Sequence, residues 1–357
     1  MRLPVELVLG AGALLMTAAP AVAEPYLSVR TGLKCSQCHT NVTGGGNRTA
    51  YGAIFAQTQL PMRPAGAVVS KTLGDFLSVG WDLRLDGSGT FKASTPQTSI
   101  DLEEAQLYVA ASLLEDRLAL YIDQTVGPDR AVAREAFAMV RRLPGNGYAK
   151  AGKFLLPYGL RLPDNAEYVR ERTGFTYYTP DQGVEVGFEP GPLTVSVALT
   201  NGTAGAAEND NGKQVTSSAA VIFRRWRLGA SASRNSSSSN RRDAVGSFGG
   251  VSLGPLALLG EVDWVRDAPV QGDTVRQLAV YAEADWLVRR GLNAKVTYGY
   301  LDKNLDVPED QKVRARFGLE FFPVAFVRLA GFYTLLADIP QATTDLDRWS
   351  LEAHLLF

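Results

Sequence analysis

Phe76-Leu77-Ser78-Val79-Gly80-Trp81-Asp82-Leu83-Arg84-Leu85 alternates polar and apolar side chains. A period of two sends successive side chains to opposite faces, so the stretch predicts a strand with one oily and one wet face. The pattern returns at 104–113, 118–126, 215–223, 278–287, 292–300, 313–321, 324–335 and 348–357. Segments of about ten residues suit tilted strands that cross a bilayer. The wet face carries charge repeatedly: Asp82 and Arg84, Asp101 and Glu103, Glu283 and Asp285, Glu352. A soluble sandwich needs a continuous apolar inner face. A polar lumen accepts charge there. Trp81, Tyr108, Trp226, Trp264, Trp286, Trp349 and Phe357 fall near segment ends, where interfacial girdles would lie.

The links between segments carry the stronger argument. Long ones are expected near 87–98, 127–131, 155–182, 200–214, 235–242, 267–274, 302–311 and 337–346. Short ones alternate with them, near 114–116, 143–147, 189–192, 224–227, 253–256, 288–291 and 322–325. The short set is turn-like, as in Pro144-Gly145-Asn146-Gly147 and Glu189-Pro190-Gly191-Pro192. The fold class is therefore all-β: a transmembrane antiparallel β-barrel of about sixteen strands. Long loops would crowd one rim and tight turns the other. An even number returns both barrel ends to the rim of short turns, the periplasmic one, and the C-terminal Phe357 fits the closing strand of such a barrel.

The N-terminal region differs. Arg2, the apolar run Leu7 to Ala19 and the small-residue site Ala21-Val22-Ala23 read as a secretory signal peptide over 1–23. No later segment has the roughly 18 apolar residues of a spanning helix. The mature chain would begin near Glu24, outside the cytoplasm. Both cysteines then fall in Cys35-Ser36-Gln37-Cys38-His39, the C-x-x-C-H pattern of haem c attachment. Two thiols at this spacing reach the two vinyl groups of one porphyrin, and the adjacent imidazole meets the iron. A small disulfide or a thioredoxin-like pair is the alternative, but no βαβ unit surrounds the motif. Residues 24–66 are expected to form a short haem c segment, plugging or capping the periplasmic mouth, with the barrel over 67–357. About forty residues bury little core alone, so haem and barrel would supply the missing contacts.

The run Val29-Arg30-Thr31-Gly32-Leu33-Lys34-Cys35-Ser36-Gln37-Cys38-His39, with Tyr51-Gly52-Ala53-Ile54-Phe55, resembles the N-terminus of fused monohaem c-type cytochrome–porins of the outer membrane, best known from iron-oxidising bacteria. The resemblance implies one covalent haem c on Cys35 and Cys38 with His39 as axial ligand. It also implies electron transfer from a small extracellular donor, Fe²⁺ among them, to a periplasmic cytochrome or other carrier. A second likeness, over Gly152 to Arg161 and Gly183 to Gly187, is to phosphate-selective-type porins, whose third external loop narrows the lumen. Here the third long link is the longest. It carries Arg161, Arg170 and Arg172 with Asp164, Glu167 and Glu171, and reads as a charged constriction or as a solvated loop.

For the sixth iron position the candidates are Met62, close in sequence, and His354, the only other histidine. Glu208-Asn209-Asp210-Asn211-Gly212 lacks the terminal Glu of a Ca²⁺ loop and reads as an external loop. Two histidines nearly exclude a Ser-His-Asp site. A formal net charge of -1 argues against nucleic acid as a partner and leaves outer-membrane lipid as the expected surroundings. Electron transfer is the leading expectation. Passive solute diffusion through a plugged porin, and a haem sensor or peroxidase with an open sixth site, are the alternatives.

Overall fold

A computed structural model describes residues 24–357, apart from 75, 92–96, 129–130, 340–346 and 357. The signal-peptide reading and the terminal Phe357 lie outside the described residues. Among those described, sixteen long antiparallel strands run from Leu77–Thr90 to Arg348–Leu356, each paired with its neighbours in chain order. The last pairs back on the first, with Trp349 opposite Gly89 and His354 opposite Arg84. The sheet thus closes into a barrel and leaves no long edge unpaired. Thr72–Leu73 adds a two-residue pairing to the start of the first strand.

The links alternate between two rims as expected, but three of those expected to be long are short: 128–131, 237–239 and 270–274. Short turns at 114–117, 144–146, 189–192, 224–225, 254–255, 290–291 and 322–326 share one rim with the start of the first strand and the end of the last. At the opposite rim, the link expected over 235–242 is a turn of only three residues, 237–239. Strands Trp226–Ser236 and Asn240–Leu253 stay paired out to Ser236 opposite Arg241. The polar run there reads as loop. Beyond the bilayer both faces of a strand are wet, so polarity does not end the pairing. Several strands are consequently longer than ten residues, such as Thr98–Leu113 with 16.

Parity separates the two faces. Val186, Leu228, Trp264, Val296 and Phe317 are exposed outside, while Glu185, Glu261, Asp263, Asp285 and Glu320 are buried inside. Tyr108 departs from the girdle expected for it. It shares a face with buried Gln106, is 5% exposed, and its hydroxyl accepts from Arg134 at 3.3 Å. Val296 sits mid-strand on the outer face, opposite Ala284 and Phe317. In lipid, Val296→Arg should destabilise the barrel by about 2–4 kcal/mol, the cost of a cation near the bilayer midplane. Reversible denaturant unfolding in vesicles would measure it, and an unchanged free energy would remove the lipid belt from this surface.

Candidate functional site

Three short helices precede the barrel: Pro25–Thr31, Cys35–Cys38 and Ala50–Thr58. None has enough apolar surface to stand alone, and the barrel provides the rest. Tyr26 and Val29 are buried with Phe248, Leu259 and Tyr281 of the wall and with Leu160, Leu162 and Val169 of the third long link. Polar contacts fix the segment to the rim of short turns. Lys34 Nζ donates to the carbonyls of Glu189 and Leu193, each at 2.8 Å, and Ser36 Oγ donates to Glu189 at 2.6 Å. Arg30 bonds Asn293 at 2.9 Å and the Asp285 carbonyl at 2.8 Å. Met62 N donates to the Phe322 carbonyl at 2.8 Å. Deeper in the lumen, Glu24 pairs with Lys295 at 2.9 Å and Asn41 donates to Glu135 at 2.8 Å.

The cysteine motif is one helical turn. Lys34 N–H donates to Gln37 Oε1 at 2.8 Å, and His39 N–H closes on the Cys35 carbonyl at 2.9 Å. Both thiols are free and half-buried. The polypeptide is shaped around them. A Cβ on Gly52 would stand 2.1 Å from the Cys38 carbonyl, so only glycine lets Ala50–Thr58 lie this close. Gly44, Gly45 and Gly46 all have positive φ, and a Cβ on Gly44 would meet Cys35 Sγ. His39 is 6% exposed and its Nδ1 has no hydrogen-bond partner. Burial, and then the nearby Arg48 guanidinium, push its pKa down to about 3. The ring is therefore neutral at physiological pH, the form that binds metals.

Cys35, Cys38 and His39 open on one cleft of about 780 Å³, partly open to solvent. Leu27, Phe55, Ala56 and Leu60 give it an apolar wall. Arg48, Arg161 and Arg227 also reach it.

The third long link, 155–180, folds into the lumen, which decides between the two readings of its charges. Arg170 is 2% exposed and pairs with Glu261 of the wall. Arg314 pairs with Asp164 at 2.7 Å and with Glu167, and Tyr158 donates to Asp263 at 2.9 Å. Only Arg172 and Glu171 stay toward solvent, paired with each other at 2.9 Å. On the long-loop side a vestibule of about 1,440 Å³ remains, lined among others by Arg84, Asp86, Glu103, Arg316 and Glu352. Between vestibule and cleft the infolded link narrows the lumen and covers charged side chains of the wall. Lys150, Glu185, Glu261, Asp263, Asp285, Glu320 and His354 on the wall are each at most 2% exposed.

Neither residue named for the sixth iron position lies on the cleft. Met62 packs beside Gly291 at the rim. His354 is buried in the lumen, with Nε2 2.6 Å from Asp82 Oδ1, engaged with the wall. Asp210 accepts from the Gly212 and Ser238 amides, and no group of three or more His, Cys, Asp or Glu among the described residues is arranged to hold a metal ion. Arg48 and Arg227 were not legible as cleft residues, because nothing local marks which arginine a fold turns toward one point.

No family model and no curated protein matches the chain. Solved structures do match. OmpT of Vibrio cholerae has a TM-score of 0.64 and 14% identity over 81% of this chain and 100% of that one. The anion-selective porin from Comamonas acidovorans gives 0.62 and 10% over 79% and 99%. The outer-membrane channel DcaP of Acinetobacter baumannii gives 0.59 and 11% over 81% and 100%. At these identities the likeness is one of fold, and the fold is that of the porin-like outer-membrane β-barrels.

Proposed function

We propose that this chain is an outer-membrane cytochrome–porin that transfers electrons between an extracellular donor and a periplasmic carrier. The observation that carries the reading is the C-x-x-C-H turn opening on a largely apolar cleft between the N-terminal helices and the infolded link. Cys35 and Cys38 would hold one haem c through thioether bonds, and His39 would bind its iron. A haem there supplies a one-electron couple. Leu27, Phe55, Ala56 and Leu60 would shield it from water, which favours a stable couple over ligand exchange. The exposed apolar outer face supports a place in the membrane.

A second reading is passive solute diffusion with residues 24–66 as a plug. Its support is the likeness to porins and channels. The discriminating experiment seals a soluble c-type cytochrome inside vesicles that carry the protein with its long loops outward. Externally added Fe²⁺ should reduce the enclosed cytochrome, and the purified protein should show a c-type α-band on reduction that survives acid–acetone extraction. Solute flux with no haem band, in protein made beside a working haem-attachment system, would select the porin reading.

A further inference from the structure

Lumenal arginines of this barrel almost all face a carboxylate. Arg84 pairs with Glu104 at 3.3 Å, Arg134 with Asp123 at 2.7 Å, Arg242 with Asp267 at 2.6 Å, and Arg316 with Asp164 at 3.0 Å. Arg170, Arg314 and Arg328 are paired likewise. Among the described residues, three arginines that reach the cleft have no carboxylate within ion-pair distance: Arg48, Arg161 and Arg227. Arg48 is 8% exposed. Arg161 comes from the infolded link. It donates to Thr43 Oγ1 at 3.0 Å, with longer contacts to the carbonyls of Leu155 and Leu156, and rests against Tyr177. Arg227 comes from the wall, lies over the Phe248 ring at 5.1 Å, and its buried Nε has no partner.

A buried cation without a counter-charge is costly, and the cost disappears if an anion arrives. Arg48, which is buried, and Arg161 and Arg227, which are half-buried, come from three separate parts of the chain to one cleft that also has an apolar wall. The occupant that fits has a large apolar body and an anionic edge. We propose that Arg48, Arg161 and Arg227 clamp the two carboxylates of that occupant, the propionates of a haem c. This rests on the haem reading above and adds to it a role for the infolded link. Arg161 ties the link to the cofactor edge, and guanidinium groups bind carboxylates in a fixed, two-pronged geometry.

The test is the midpoint potential of the haem-loaded protein, followed optically. Positive charge beside the haem favours the ferrous form. R161Q and R227Q should therefore each raise the ferric-to-ferrous ratio at a fixed applied potential, up to about tenfold, which is about 59 mV for one electron. R161K and R227K should keep most of the wild-type potential, which separates charge from a folding defect. Potentials unchanged in both Gln variants would overturn the clamp. A wild-type potential that falls with added inorganic phosphate, while R161Q is insensitive to it, would mean that the arginines hold a free anion, and would overturn the propionate assignment. No haem in the wild-type protein would overturn the cytochrome reading and the clamp together, an outcome distinct from a loaded protein whose potential ignores its arginines.

Discussion

Protein with both Cys35→Ala and Cys38→Ala should lose all covalently held haem absorbance and keep its barrel. Each thiol can add to one vinyl group, so either single variant retains one bond and part of the band. The double variant retains only the His39 ring, and haem bound that way leaves in acid–acetone. The barrel survives because neither thiol takes part in it. The segment is anchored by other groups: Lys34 on the Glu189 and Leu193 carbonyls, Arg30 on Asn293, and Glu24 on Lys295. Replacing two half-buried thiols by methyl groups removes little packing, and strand circular dichroism should be unchanged. A double variant that holds haem through acid–acetone would sink the attachment assignment. So would a single variant that loses as much haem as the double.

The barrel was legible because its signal is periodic and repeated. Alternation at 76–85 and its echoes fixes two faces per strand, and turn pairs such as Arg290-Gly291 mark where each strand reverses. Parity then carries most residues to the correct face without knowledge of their partners. It fails where a local rule is displaced. Tyr108 looked like a girdle aromatic because it lies near a segment end, yet its face is set by Gln106 two residues earlier. The serine-rich 235–240 looked like a loop, because composition cannot tell a wet strand from a coil. Strand ends beyond the bilayer were lost for the same reason.

The C-x-x-C-H turn was legible because its chemistry demands fixed spacing. The pairs that hold it in place, such as Lys34 with the turn at 189–192 or Arg30 with Asn293, lie more than 150 residues apart in sequence. No local pattern encodes them. The charges of the third long link were visible, but their depth in the lumen was not. That depth depends on partners, Glu261 and Arg314, on strands about a hundred residues away or more.

A chain that lacks 24–66 should conduct ions in a planar bilayer, whereas the intact protein should be close to silent. A sixteen-strand barrel encloses space enough for an aqueous channel. In the intact protein that space is occupied from the short-turn side by the three helices, and wall charges such as Glu185 and Asp285 are buried beneath them. Removing the segment need not unfold the wall. Lys295 loses Glu24 but keeps Glu283 at 3.6 Å, Asp285 at 3.7 Å and Glu320 at 3.8 Å. Arg328 keeps Glu320 and Glu352. Glu135 loses Asn41 but still accepts from the Leu155 amide at 2.8 Å. The infolded link stays held by Arg170 on Glu261 and Tyr158 on Asp263, so it should limit the new conductance below that of an empty barrel. An intact protein that already conducts at the truncated level would sink the plug. A truncated protein that stays silent would assign closure to the infolded link alone. Silence in the intact form with conduction in the truncated form means that solutes are excluded while the cleft residues stay in place, and that separates the electron-transfer reading from the passive porin by a current rather than by a spectrum.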